Sequence, residues 1–389
     1  MINLRNITLA YIFFVCISYN LKWFYLFGSF GYADLFLPIL LFATLREKHV
    51  SLDMVSFLLI GLAIIACASS LYAVSSGLYD NFNIGYAFRS LYFVGLYVVL
   101  LNSKVSTEDV IKAISLSLLF SLFLCFYIWS TNPRYYGWAE IMPMLHVRES
   151  PSGLVVNRNE SGLTASLLFT ISLFGLVYKK FFSNRANFFL VILSFLTVAL
   201  TFSKGAWLLA LLASFIVVVF RFKATKLIFV GISLLCLLPL LPLAELAFVD
   251  AVIWRFTGSA ETNAYRLAYV LDSALIGADN FMLGIGPGNY GEYTRANGYV
   301  VTIDPHNSYM QTFAELGIFG LLLVLFFYGA SLLQSFFNAK KDENHIIIFV
   351  LIVLLAVDGM QSGLSLTMKI LYVLSALSMR RVLNVRNQT

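Results

Sequence analysis

The sequence predicts an all-α membrane protein, a polytopic bundle of about twelve apolar helices with two long connections on one side. Three observations carry this. Of 389 residues, 60% are hydrophobic and 12% are charged, half of the roughly 25% that hydrates the surface of a soluble domain. Apolar runs of about 20 residues recur from end to end, each long enough to cross about 30 Å of hydrocarbon as a helix. Lys and Arg fall in alternate connections, the asymmetry that sets orientation during membrane insertion.

The runs lie near 7–27, 32–45, 54–75, 87–103, 109–129, 161–178, 187–203, 205–220, 227–249, 309–335, 345–358 and 362–379. The first has no small-residue cleavage pattern and continues into another run, so it reads as a span and not a signal peptide. With the N-terminus inside, the cytoplasmic connections hold Arg46 and Lys48, then Lys104, then Lys179, Lys180 and Arg185. Arg221, Lys223 and Lys226 follow, then Lys340 and Lys341, and the tail carries Arg380, Arg381 and Arg386. The opposite short connections hold Asp80 and Asp358 and no Lys or Arg. This phase puts both termini of a multi-pass chain in the cytoplasm. The net charge of +6 follows from these basic connections and does not point to nucleic acid.

The whole chain, 1–389, reads as a single integral membrane domain. Two connections on the outer side are long, about 130–160 and about 250–308, and their Trp, Tyr, Pro and Arg content reads as ordered, functional loops rather than linkers. No internal repeat or low-complexity tract is visible. The cysteines, Cys16, Cys67, Cys125 and Cys236, all lie in apolar runs, where small buried apolar residues are expected.

His49 and His345 fall in basic connections, and His146 sits in the first outer loop without a strong pattern. His306 stands in Asp304-Pro305-His306-Asn307-Ser308, directly before a long apolar run. A neutral imidazole at the mouth of a membrane bundle can accept a proton near pH 7. Cations gather on the same side. Lys204 interrupts an apolar stretch at TFSKGAW, Arg158 precedes the sixth run, and Arg255 and Arg266 bracket the start of the large loop. A charge beside hydrocarbon costs about 2.5–3.5 kcal/mol on insertion scales. Several such cations with few acids nearby suit an anionic ligand, and a diphosphate on a lipid tail fits. Gly284, Gly286 and Gly288 in GIGPGNY have no Lys-Ser/Thr after them, so they shape a turn and do not cradle a nucleotide. No cluster with metal-ligand spacing is present, and no metal or cofactor is expected.

From His306 the chain reads HNSYMQTFAELGIFG, which resembles the signature of the O-antigen ligase and O-antigen polymerase superfamily: His-Asn, nine residues, Gly317, two residues, Gly320. TFSKGAW, the stretch from Arg255 to Arg266, and GIGPGNY leading into PHNSY occur in the family's order, so the resemblance covers about 200–320. Arg266, ten residues and Gly277 also match an Arg-ten-Gly pattern of polymerases. The resemblance implies a GT-C-like, metal-independent, inverting glycosyltransferase acting on an undecaprenyl diphosphate-linked oligosaccharide or polysaccharide at the periplasmic face. The acceptor is another lipid-linked glycan in a polymerase and the lipid A core in a ligase; a chain-length regulator is an expected partner. By the same resemblance His306 is the general base and Arg266 holds the diphosphate, with Lys204, Arg255, Arg158 and Asn307 as further substrate contacts. Lys204 stands where ligases carry Arg in a Ser-Arg-Gly/Ala context. Lys supplies the charge without the bidentate fork, which favours the polymerase. A flippase would also use buried cations, but transporters place charges at the midplane and show repeated halves.

Overall fold

The structure is a computed structural model that describes residues 4–18, 25–27, 30–46, 50–77, 84–131, 158–201, 203–221, 260–299, 305–360 and 369–380. Over these residues it is helical apart from one hairpin, β1 (Tyr25–Phe27) with β2 (Phe30–Gly31). The helices, numbered over the described residues, begin with α1 (Leu4–Ser18), α2 (Leu37–Leu45), α3 (Met54–Ser75), α4 (Ile84–Asn102) and α5 (Thr107–Thr131). There follow α6 (Arg158–Tyr178), α7 (Asn184–Leu200), α8 (Lys204–Arg221), α9 (Ala260–Asp279) and α10 (Tyr290–Ala296). The last three are α11 (Ser308–Ala339), α12 (Asn344–Asp358) and α13 (Lys369–Met379). Starts are set by local chemistry. Asp53 and Ser56 form a capping box ahead of α3, and Ser183 caps α7.

On α3 much of the side-chain burial runs opposite to that of a soluble protein. Helix α3 buries Ser56, Ala63, Ala66, Ser69, Ser70 and Ala73, while Phe57, Ile64 and Leu71, seven residues apart, are each 62% exposed. Large apolar side chains face outward and small or hydroxylated ones face the neighbouring helix, as packing in lipid demands. Four described helices or helix segments, Met54–Ser75, Ser161–Tyr178, Lys204–Arg221 and Ser308–Ala339, are long and apolar enough to cross a membrane, and six shorter apolar helices accompany them. The chain is a polytopic helical membrane protein.

Eleven of the twelve expected runs overlap described helices; the twelfth, 227–249, lies outside the described residues. Two expectations need correction. The first span does not continue as helix to 27, because Tyr25–Phe27 pairs with Phe30–Gly31 as a hairpin; aromatic residues suit a pleated strand. The connection 250–308, expected as a loop, contains the helices α9 and α10.

Contacts group the chain into two compact units: residues 1–15, 25–110 and 264–389 form the first, and 16–24 and 111–263 the second. In the first, α11 packs on α3 and α12, α3 on α4, and α4 on α13. One end of this unit collects the connections expected in the cytoplasm. Arg5 pairs with Asp109 at 2.5 Å. Ser51 bonds Asn102, Asn338 donates to the Ser378 carbonyl, and Arg380 donates to the carbonyls of Leu100 and Val105. The start of α1, Ser51, the 103–106 connection, the end of α11 and the end of α13 thus meet at one place.

Within the same unit Lys369 forms a buried ion pair with Asp34 at 2.5 Å. Tyr92 donates to the other Asp34 oxygen at 2.5 Å, and the hydroxyls of Tyr11 and Tyr92 are 2.8 Å apart. This network joins α13 to the short 3-10 helix Tyr32–Phe36 and to α4 and α1.

In the second unit α6 packs on α7 and α8. The basic turn between α6 and α7 is tight: Lys179 and Phe181 have positive φ, and Asn187 donates to the carbonyls of Lys180 and Phe182.

Candidate functional site

The first unit's site is built around the start and the break of α11. Asn307 caps the helix, its amide oxygen accepting from the N–H groups of Tyr309 and Met310. Its amide nitrogen donates to the Met360 carbonyl at 3.2 Å. Ser308 N–H donates to the Gly359 carbonyl at 2.8 Å, and the Tyr309 hydroxyl to that of Ala356. The helix start is therefore tied to the end of α12. Asn307, expected to touch substrate, has its amide committed to backbone and acts here as a cap. His306 precedes it with φ +56°, a left-handed conformation uncommon outside glycine although His tolerates it better than most. This turn aims the half-buried imidazole toward α9, where the Tyr269 ring lies 6.4 Å away, centroid to centroid.

The break comes at Gly317, φ +65° and ψ −165°, a region open essentially to glycine. An unbroken helix would join Ile318 N–H to the Ala314 carbonyl. Here Ile318 donates to the Phe281 carbonyl at 2.8 Å, and the Ala314 carbonyl accepts from Ile285 at 3.0 Å. The Glu315 carbonyl accepts from Gly286 N–H and from Ser69 Oγ of α3. The glycine-rich segment thus replaces one rung of the helix ladder. Gly284, Gly286 and Gly288 all have positive φ. A Cβ on Gly284 would stand 2.4 Å from the Glu315 carbonyl carbon, and one on Gly317 2.3 Å from the Met282 oxygen. Close approach of the two backbones accounts for glycine at 284 and 317. Gly320 follows from the same break, since a Cβ there would meet that of Leu316 at 2.2 Å.

Helix α9 meets the start of α11 at two points. Gly277 meets the Phe313 ring, which a Cβ would strike at 2.4 Å, and Tyr269 meets His306, so the two helices run in the same direction here. Tyr290 of GIGPGNY, 1% exposed, packs with Ile276, Ile285 and Ala314. Its hydroxyl is 2.9 Å from Ser273 Oγ and reaches the Tyr269 carbonyl at 3.3 Å. Arg266 is one turn before Tyr269, on the same helix face. Burial draws its pKa below the ordinary value, though a guanidinium keeps its proton in proteins.

Lys204 and Arg158 belong to the second unit, where they open α8 and α6. The two helix starts adjoin: Ser203 Oγ donates to the Asn159 side-chain oxygen at 3.0 Å, Ser166 Oγ to the Ala206 carbonyl at 3.0 Å, and a Cβ on Gly162 would meet that of Ala206 at 2.7 Å. Two helix N-termini, with their partial positive charge, therefore converge beside a lysine. The Arg158 side chain and all of Arg255 lie outside the described residues. Among the described residues no three of His, Cys, Asp and Glu come together as metal ligands.

Two polar side chains of the first unit were missed by sequence reading. Arg89 of α4 and Glu315 of α11, the latter 7% exposed, both line a cavity beside the start of α11. The available signal was a charge inside an apolar run.

No curated protein matches the chain. Residues 189–325 match the family model described as O-antigen ligase, an interval that runs from α7 through the His306 signature and the Gly317 break, and this match supports a likeness of that region to the O-antigen ligase and polymerase superfamily.

Proposed function

We propose that the protein is a metal-independent, inverting glycosyltransferase that moves glycan from undecaprenyl diphosphate to an acceptor at the periplasmic face of the inner membrane, as a polymerase of surface polysaccharide. One observation carries the reading: a histidine held in a left-handed turn at the mouth of a membrane helix, facing a tyrosine one helical turn from a half-buried arginine. His306 takes the proton of the acceptor hydroxyl as its oxygen attacks the anomeric carbon. The bond from that carbon to the diphosphate oxygen breaks on the opposite face, so configuration inverts, and undecaprenyl diphosphate leaves. Arg266 offsets the charge that develops on it. A diphosphate is already a good leaving group, so a positioned base, worth about 10²–10⁴-fold, and the alignment of two large substrates suffice. Lys204 and Arg158, at the paired starts of α8 and α6, with Arg255, supply further positive charge for the anionic carrier. About twelve spans with both termini cytoplasmic are the topology that goes with this reading.

A second reading is the ligase, with the lipid A core as acceptor; the description of the matched family favours it, and Lys204 in place of Arg favours the polymerase. The test is reconstitution with a lipid-linked oligosaccharide, with and without lipid A core, scoring which acceptor gains mass. The polymerase predicts lengthening of the lipid-linked glycan without core. Transfer that requires core makes the protein a ligase. Undiminished transfer by His306→Ala removes the proposed base.

A further inference from the structure

The first unit contains a cavity of about 160 Å³ whose wall includes Ser308, two residues after His306, and Pro287 of the glycine-rich segment. Its polar lining comes from two helices. Arg89 and Ser90 of α4 face Ser308, Gln311, Thr312 and Glu315 of α11. Gln311 and Glu315, one turn apart, are joined by a 3.2 Å hydrogen bond from the amide nitrogen to the carboxylate. The apolar lining includes Phe93 and Tyr372, whose rings stack at 4.1 Å and 7°. A charged side chain in such a place within a membrane protein is expensive and marks function by default.

We infer that this cavity is the acceptor subsite and that it receives one uncharged pyranose ring, through Arg89, Gln311 and Glu315; the inference rests on the transferase reading above. Three observations select this ligand. The lining holds one cation and one carboxylate, so it balances and gives no excess positive charge for a diphosphate, which needs several cations. Hydroxyl, amide, guanidinium and carboxylate groups interleave with apolar side chains such as Leu59, Leu62 and Leu316, a wall that offers both donors and acceptors to a polyol and an apolar surface to its ring. The volume is small beside the roughly 300–1,000 Å³ of sites that enclose a drug-sized ligand, so it takes one ring and not an oligosaccharide. Because Ser308 forms part of the wall, a ring seated here presents its hydroxyls toward the turn that carries His306.

The test uses the full chain in lipid nanodiscs and saturation-transfer NMR with methyl glucoside, methyl galactoside, methyl mannoside and methyl N-acetylglucosaminide, with inorganic diphosphate as competitor. At least one neutral glycoside is expected to show transfer that falls five-fold or more in Gln311→Ala and in Glu315→Gln and is unaffected by diphosphate. Thermal unfolding of each variant guards against a mere folding defect, and Arg89→Lys, which keeps the charge, is expected to bind more than Arg89→Gln. Binding by none of the glycosides, equal binding in the variants, or displacement by diphosphate overturns the inference. In reconstituted transfer the same variants are expected to raise the acceptor KM by five-fold or more and leave the donor KM unchanged; an unchanged acceptor KM in an active enzyme overturns the subsite and spares the transferase. Glycoside binding that the variants weaken, in a protein that transfers nothing, keeps the cavity as a sugar site and removes the proposed function.

Discussion

Arg380 and Arg266 are half-buried arginines of the first unit, one near each end of α11. Burial lowers the pKa of both, that of Arg380 to about 10. Their partners differ. Arg380 donates to the carbonyls of Leu100 and Val105 and to Ser103 Oγ, so its fork is spent on closing the end of the bundle. Arg266 has no hydrogen-bond or ion-pair partner among the described residues, and burial alone accounts for its shift. A half-buried cation can thus be spent as a clamp, as Arg380 is, or kept for a ligand, as proposed for Arg266.

The comparison can be broken most directly by rate. His306→Ala and Arg266→Ala are expected to lower transfer by about 10²–10⁴-fold with the protein still folded in the membrane, measured by turnover per folded molecule. A loss of fold in Arg266→Ala, with activity intact in what remains, would make it a second clamp.

Next in size is the pair Asp34–Lys369. Removing either partner, as in Asp34→Ala or Lys369→Ala, leaves a buried charge and costs about 3–5 kcal/mol. Asp34→Asn with Lys369→Met is expected to recover much of that in detergent unfolding; additive losses would show that the two do not act as a pair. Arg380→Ala comes third. It strips hydrogen bonds to a charged group, worth about 1.5–3 kcal/mol, and should lower Tm while leaving kcat per folded molecule unchanged. A large fall in kcat would erase the distinction between the two arginines. The smallest effect belongs to Asn307→Ala, about 1 kcal/mol for a lost helix cap, largely restored by Asp. A rate loss that Asp does not restore would return Asn307 to the substrate contacts.

Most of the helix positions were legible in the chain because an apolar run is a local property. The hairpin at Tyr25–Phe27 was hidden by the apolar, aromatic run that contains it, and the helices within 250–308 were hidden because their burial depends on distant partners: α9 is amphipathic rather than apolar throughout, and its Ile276 is buried with Tyr290 and Ala314. At the site, His306 and Arg266 could be singled out by residue type and spacing. Arg89 and Glu315 could not be matched, since they lie 226 positions apart in the sequence and share a wall only after α4 and α11 are folded.

By itself the sequence determined the solvent, the helices and the alternation of basic connections, because composition and run length act on each segment separately. Tertiary structure decided what Gly317 is for and what Arg380 does. Gly317 is required by the Met282 oxygen that approaches it, Arg380 is a clamp through carbonyls about 280 positions away, and neither partner is visible until the backbone brings it within hydrogen-bonding or van der Waals range.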